Sequence, residues 1–217
     1  MRKAYLPKRN ADGDGPDFYP TPPDATRAFL RTYEEEIGEP IVHRDECVWE
    51  PACGEGHMSK VLRDHTPYVL STDKHDRGYG KVMDFMDAQN PDYRAIEDKY
   101  IDLVMTNPPF NLAEEFIVRA LCVSKERVAM LLRFQFLEGR GRLERLWNHR
   151  LATLYRPRHI FMYAKRVHMV MNRIPNRHDG GGSLTMAWFV WDKQAEPDRF
   201  IRLWIIDNRE DERQETL

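Results

Sequence analysis

A carboxamide, two prolines and a phenyl ring stand in a row at Asn107-Pro108-Pro109-Phe110. The Asn107 carboxamide oxygen and the Pro108 carbonyl can both accept hydrogen bonds from an exocyclic amino group, while Phe110 can stack on the ring that carries it. Three acids extend the set. Glu50 can hold an ammonium, Asp73 can accept from both hydroxyls of a ribose, and Asp84 can accept from an adenine amino group with Phe85 against the ring. Gly54 and Gly56, between the first two acids, let backbone approach a ligand closely. The acid 23 residues after Glu50 also suits the ribose of a dinucleotide, but the fingerprint G-x-G-x-x-G has Ser59 at its third glycine position. S-adenosylmethionine, which has no pyrophosphate to cradle, fits better.

Such chemistry needs strands that end where these polar residues begin. Cys47 to Glu50 reads as a short buried strand, followed by the glycine turn and a helix from about His57 to His65. Tyr68 to Thr72 closes on Asp73, Lys81 to Met83 closes on Asp84, and Ile101 to Thr106 is stopped by the two prolines. Upstream, the rigid lead-in Tyr19-Pro20-Thr21-Pro22-Pro23-Asp24 opens a helix from Ala25 to about Ile37, with Asp24 or Thr21 as its cap and Gly38 as its stop. Further helices are predicted at about 91–98, 112–123 and 142–150, and further strands at 127–133, 159–163, 185–191 and 200–206. Within 185–191, Trp188 and Val190 share one face and Phe189 and Trp191 the other, all as packing residues. Strands alternating with helices, then running together at the end, predict an α/β fold: a doubly wound, mostly parallel sheet of seven to eight strands with an antiparallel C-terminal hairpin.

The 217 residues suit one domain, and a composition of 41% hydrophobic and 31% charged residues is that of a soluble globular protein. No run of about 18 apolar residues spans a bilayer, and the N-terminus lacks the apolar core of a secretory signal. We expect a flexible arm at 1–17, a folded domain at 18–207 and a polar tail at 208–217. Cys47, Cys53 and Cys122 lie in no C-x-x-C spacing, so neither a disulfide framework nor a zinc site is predicted, and a cytoplasmic location is expected. His43, His57, His65 and His75 share no ligand spacing, so no metal is expected. The formal net charge of -2 hides an asymmetry: residues 139–178 carry nine Arg and Lys165 against Glu144 alone, whereas the remainder has 23 basic and 34 acidic residues. Trp147, Tyr155, Phe161 and Tyr163 interleave with those arginines, as a surface meeting phosphates and bases would want. The stretch 165–184, with Gly180-Gly181-Gly182, is predicted to be mobile.

The order of these motifs resembles the S-adenosylmethionine-dependent methyltransferases that act on adenine N6 in DNA, in particular small phage-borne and bacterial enzymes with NPPF. The likeness covers about residues 18–206. It implies a Rossmann-like class I methyltransferase domain, with the cofactor against Tyr19, Thr21 and Pro22, the turn Glu50-Pro51-Ala52 with Gly54 and Gly56, Asp73 and Lys74, Asp84 and Phe85, and Asn107. It also implies that Asn107, Pro108, Pro109 and Phe110 form the catalytic pocket for an adenine flipped out of the duplex. Many relatives carry a separate target-recognition domain; here recognition is expected to fall to Arg133 and to the basic segment 139–184, through Arg140, Arg142, Lys165, Arg166, Arg173 and Arg177. DNA is the expected partner, with no membrane and no obligatory protein partner, and S-adenosylhomocysteine the expected by-product. An RNA adenine methyltransferase, a protein glutamine N5-methyltransferase and a non-catalytic cofactor-binding subunit are the alternative readings.

Overall fold

The computed structural model describes residues 18–90, 100–147, 156–167, 169, 185–196 and 200–208. The arm at 1–17, the helix expected at 91–98, Arg173, Arg177 and most of the tail lie outside the described residues.

Eight strands form one sheet: β1 (Val48–Glu50), β2 (Val69–Asp73), β3 (Lys81–Val82), β4 (Leu103–Thr106), β5 (Arg127–Arg133), β6 (His159–Tyr163), β7 (Met186–Asp192) and β8 (Arg202–Ile206). Their order is β3-β2-β1-β4-β5-β7-β6-β8. β7 runs antiparallel to both neighbours, from Arg127↔Asp192 to Arg133↔Met186 against β5 and from His159↔Val190 to Met162↔Ala187 against β6; every other pairing is parallel. The expected antiparallel pair is therefore β6 and β7. It does not form the sheet margin, because β7 inserts beside β5 and β8 adds parallel to the far side of β6. β7 can occupy this central place because Met186 to Trp191 are buried without exception.

α1 (Pro23–Ile37) begins with a proline in its first turn, where the missing N–H is not needed, and ends at Gly38 with φ 89°. Neither Asp24 nor Thr21 caps it: the N-cap is Pro22, Asp24 pairs with Arg27, and Thr21 is used elsewhere. Ala25, Ala28, Phe29, Thr32 and Tyr33 recur at helical spacing on its buried face. Phe29 stacks on Trp188 with centroids 4.4 Å apart. The Trp188 indole donates to the Tyr163 hydroxyl at 2.7 Å, which donates to the Ala25 carbonyl at 2.8 Å, so α1 is tied to β6 and β7 by hydrogen bonds as well as by area.

α2 (His57–Leu62) joins α1 on this face through Met58, Val61 and Leu62. α3 (Ala113–Val123) covers the other, where Phe116 and Ile117 pack with Trp49, Phe85, Phe189 and Trp191. Trp188 and Val190 sit in the first core and Phe189 and Trp191 in the second, as the strand alternation predicts. The helix expected at 142–150 differs: Arg140–Arg142 is one helical turn and Leu143–Trp147 a π-helical one, with the remainder outside the described residues.

The strand order reverses between β1 and β4. A crevice opens there at the carboxyl ends, as in other open α/β sheets. Glu50 and Asn107 stand on its two sides.

Candidate active site

One cavity collects residues 18–21, 50–53, 73–75, 84–85 and 107–112, with His57, Met58, Arg77 and Phe116. The fold thus brings together Tyr19, Thr21, Glu50, Pro51, Ala52, Asp73, Lys74, Asp84, Phe85, Asn107, Pro108, Pro109 and Phe110. Pro22, Gly54 and Gly56 stand outside its lining.

Asn107 follows β4, and its position is fixed from the N-terminal lead-in. Its Nδ2 donates to the Tyr19 carbonyl at 3.0 Å and to the Thr21 hydroxyl at 3.1 Å. A carbonyl can only accept, so this contact fixes which end of the amide is nitrogen. The other end, Oδ1, is buried and has no hydrogen-bond partner among the described residues. An unpaired buried acceptor costs about 1–3 kcal/mol, and a ligand N–H that reaches it removes that cost. Phe110 opens the 3-10 turn Phe110–Leu112 that leads into α3. Its ring stacks on Tyr19 with centroids 5.3 Å apart, and the Arg133 guanidinium lies over it at 4.2 Å.

Glu50, at the end of β1, is 3% exposed. Ser59 donates its hydroxyl to the Glu50 carboxyl and also lies 2.6 Å from the Ser71 hydroxyl. Burial raises the Glu50 pKa to about 8; the Ser59 hydrogen bonds oppose the rise and the Asp73 charge adds to it. At neutral pH this group keeps its proton until a cation is brought to it.

Asp73, at the end of β2, organises the glycine turn. Its Oδ2 accepts from the Gly54 N–H and its Oδ1 from the His75 N–H, both at 2.9 Å. A carboxylate has about four lone-pair sites, so capacity for ligand hydroxyls remains. Gly54 and Gly56 have φ of 53° and 78°, in the region that favours glycine. Protein rings fill the space beside them: a Cβ on Gly54 would meet the Phe18 ring at 2.3 Å, and one on Gly56 the Tyr79 ring at 2.3 Å. A side chain at either position would therefore displace Phe18 or Tyr79.

Asp84 accepts from the Met86 N–H at 2.9 Å and pairs with Lys74 at 2.8 Å. Burial pushes its pKa up, but the Lys74 and Met86 hydrogen bonds and the Lys74 charge outweigh it and leave the carboxyl below its ordinary value. Phe85 is wedged edge-on to Trp49 and against Phe116, both at 5.0 Å, so one ring both lines the cavity and belongs to the core. Burial, then the charges of Glu50 and Asp73, push the Cys53 thiol up to about 12, which favours the thiol over the thiolate.

Phe18 and Arg77 are lining residues that the sequence reading did not assign. The Arg77 guanidinium sits 4.1 Å over the Phe18 ring, and its Nε is buried without a partner. The signal for Phe18 was its place beside Tyr19 in the lead-in; nothing local marked Arg77. Among the basic residues expected to meet nucleic acid, Arg140 pairs with Glu144 at 3.1 Å and Arg142 lies 3.8 Å from Glu114, with its Nε donating to the Glu138 carbonyl. Lys165 and Arg166 are exposed just beyond β6.

Seven strands that run one way, an inserted antiparallel β7 and a crevice at the β1/β4 reversal define the Rossmann-like fold of the class I methyltransferases. No family profile and no curated protein sequence matches the chain. Solved structures do. A type I restriction-modification methyltransferase subunit from Streptococcus thermophilus superposes with TM-score 0.54 at 9% identity, over 84% of this chain and 46% of that one. The Type ISP restriction-modification enzyme LlaGI, in complex with a DNA substrate mimic, gives 0.56 at 10% identity over 87% and 28%. The 23S rRNA methyltransferase ErmE gives 0.51 at 16% identity over 79% and 68%. The chain therefore spans about half the length of the restriction-modification subunit it matches, and these likenesses establish its fold.

Proposed function

We propose that the protein transfers a methyl group from S-adenosylmethionine to the N6 amino group of adenine in DNA. The observation that carries this reading is the oriented Asn107 amide, whose nitrogen is spent on Tyr19 and Thr21 and whose buried oxygen is left to accept. An amino group beside a stackable ring, Phe110, is the ligand that such an acceptor suits. The donor set also fits the cofactor: Asp73 offers its lone pairs to a ribose, Asp84 and Phe85 to an adenine edge and face, and Glu50 a buried carboxyl to an ammonium. When bound, the cofactor supplies an electrophilic sulfonium methyl.

The protein's part is to orient and to exclude water. Accepting from the target N–H, Asn107 Oδ1 favours the charge that builds as the amino nitrogen gives up conjugation with the ring. Phe110 holds the base plane, and the walls formed by Pro108, Pro109 and Tyr19 keep it in register. Reaching this pocket requires the base to leave the duplex, at about a few kcal/mol. Exposed Arg133, Lys165 and Arg166 favour a nucleic acid over a free peptide as substrate.

The test is product analysis. The protein is incubated with labelled cofactor and with unmethylated DNA, RNA or protein, and the acceptors are then hydrolysed for mass spectrometry. N6-methyladenine from DNA is expected. N4-methylcytosine alone, or label only in RNA or protein, overturns the reading.

A further inference from the structure

β5 is buried from Arg127 to Leu132, and only its last residue, Arg133, reaches solvent. Arg133 lies three residues past the end of β4, where Thr106 pairs with Met130, on the side of the sheet that carries Asn107 to Phe110. Its guanidinium lies 4.2 Å over the Phe110 ring. Nearby arginines have carboxylate partners: Arg145 makes a two-pronged contact with Glu114 at 2.9 Å, Arg142 shares that carboxylate, and Arg140 takes Glu144. No carboxylate pairs with Arg133 among the described residues.

The ring assigned to a planar base thus already carries a planar cation. We propose that Arg133 is a positioning residue for the target nucleotide: it rests on Phe110 before DNA binds and pairs with the phosphate next to the everted adenine once the base takes the ring. This deepens the DNA-methylation reading and rests on it. The exchange gives up an exposed cation–π pair, the weaker kind, for a stacked base and a charge-assisted bond to phosphate. Guanidinium suits both stages, since its flat face stacks on a ring and its edge forks onto phosphate oxygens. With those neighbours held by carboxylates, Arg133 is the cation on Phe110 itself and so is placed to select that one phosphate.

The test is a cycle across the protein and the DNA. Full-length protein and its Arg133→Gln variant are assayed on a duplex with one adenine that the parent methylates, carrying either native phosphates or a neutral methylphosphonate next to that adenine. The variant should raise KM on native duplex about tenfold, and its plot of log affinity against log salt should be shallower by about 0.9, one phosphate's share. The methylphosphonate should cost the parent a similar factor and cost Arg133→Gln nothing further. Arg133→Lys should restore the salt slope, and S-adenosylhomocysteine affinity should be unchanged throughout, because Arg133 does not line the cavity. Losses that simply multiply would overturn the proposal while leaving the methylation reading intact. A parent protein that methylates no adenine in any duplex overturns both.

Discussion

At the scale of single residues, two groups carry the proposed chemistry of the pocket: Asn107 Oδ1 and the carboxyl of Glu50. Replacing Asn107 by Asp keeps the shape but removes both N–H donors and sets a carboxylate against the Tyr19 carbonyl. Transfer should fall about a hundredfold or more, as when one preorganised polar group is lost. Cofactor affinity, read by calorimetry, should change far less. Equal loss of both would move Asn107 to a cofactor role.

Glu50 makes a pH prediction with a definite sign. Its pKa of about 8 in the folded protein lies above the ordinary 4.5, so folding takes up a proton in that window and the group's contribution to stability falls as pH rises through it. Binding an ammonium reverses this, because the cation selects the carboxylate. S-adenosylhomocysteine affinity should therefore climb between pH 6 and 8 and level off above, with proton release seen by calorimetry in buffers of different ionisation heat. Glu50→Gln should flatten the profile; a flat profile in the parent would separate Glu50 from the ammonium.

At the scale of elements, α1 matters because it carries the lead-in that orients Asn107. The relay from Trp188 through Tyr163 to the Ala25 carbonyl fixes its start against the sheet. Tyr163→Phe removes one oxygen and strands the buried Trp188 indole N–H. We expect a loss of about 1–3 kcal/mol in urea unfolding, with near-native far-UV circular dichroism. An undiminished midpoint would mean that α1 is held by packing alone.

Across the whole molecule, the two ends of the sheet divide the work. The carboxyl ends of β1, β2 and β4 hold the cavity, while the opposite end is closed by Arg127, which pairs in the interior with Glu46 and lies 3.6 Å from Glu126. Glu46→Gln leaves that guanidinium with its more distant partner and should destabilise the protein by about 3 kcal/mol. Cofactor affinity measured well below the unfolding midpoint should not change. A matching loss of affinity would show that the two ends are coupled.

The sequence by itself determined which strands end in polar residues that line the cavity. Glu50, Asp73 and Asn107 are legible because an apolar run followed by a polar or proline stop is a local signal, and alternation along 186–191 places each tryptophan on its core face. It did not determine partners. Thr21 read as a helix cap until the fold put its hydroxyl on Asn107, 86 residues away, with the Tyr19 carbonyl 88 residues away. That Phe18 and Tyr79 pack beside Gly54 and Gly56 is not written locally, and the basic run read as uniform charge until Glu114 and Glu144 paired with part of it. Periodicity and strand stops are written within a few residues of one another. Burial, hydrogen-bond partners and the charge that survives at a surface are set by contacts between segments distant in the chain, and only the tertiary structure brings those together.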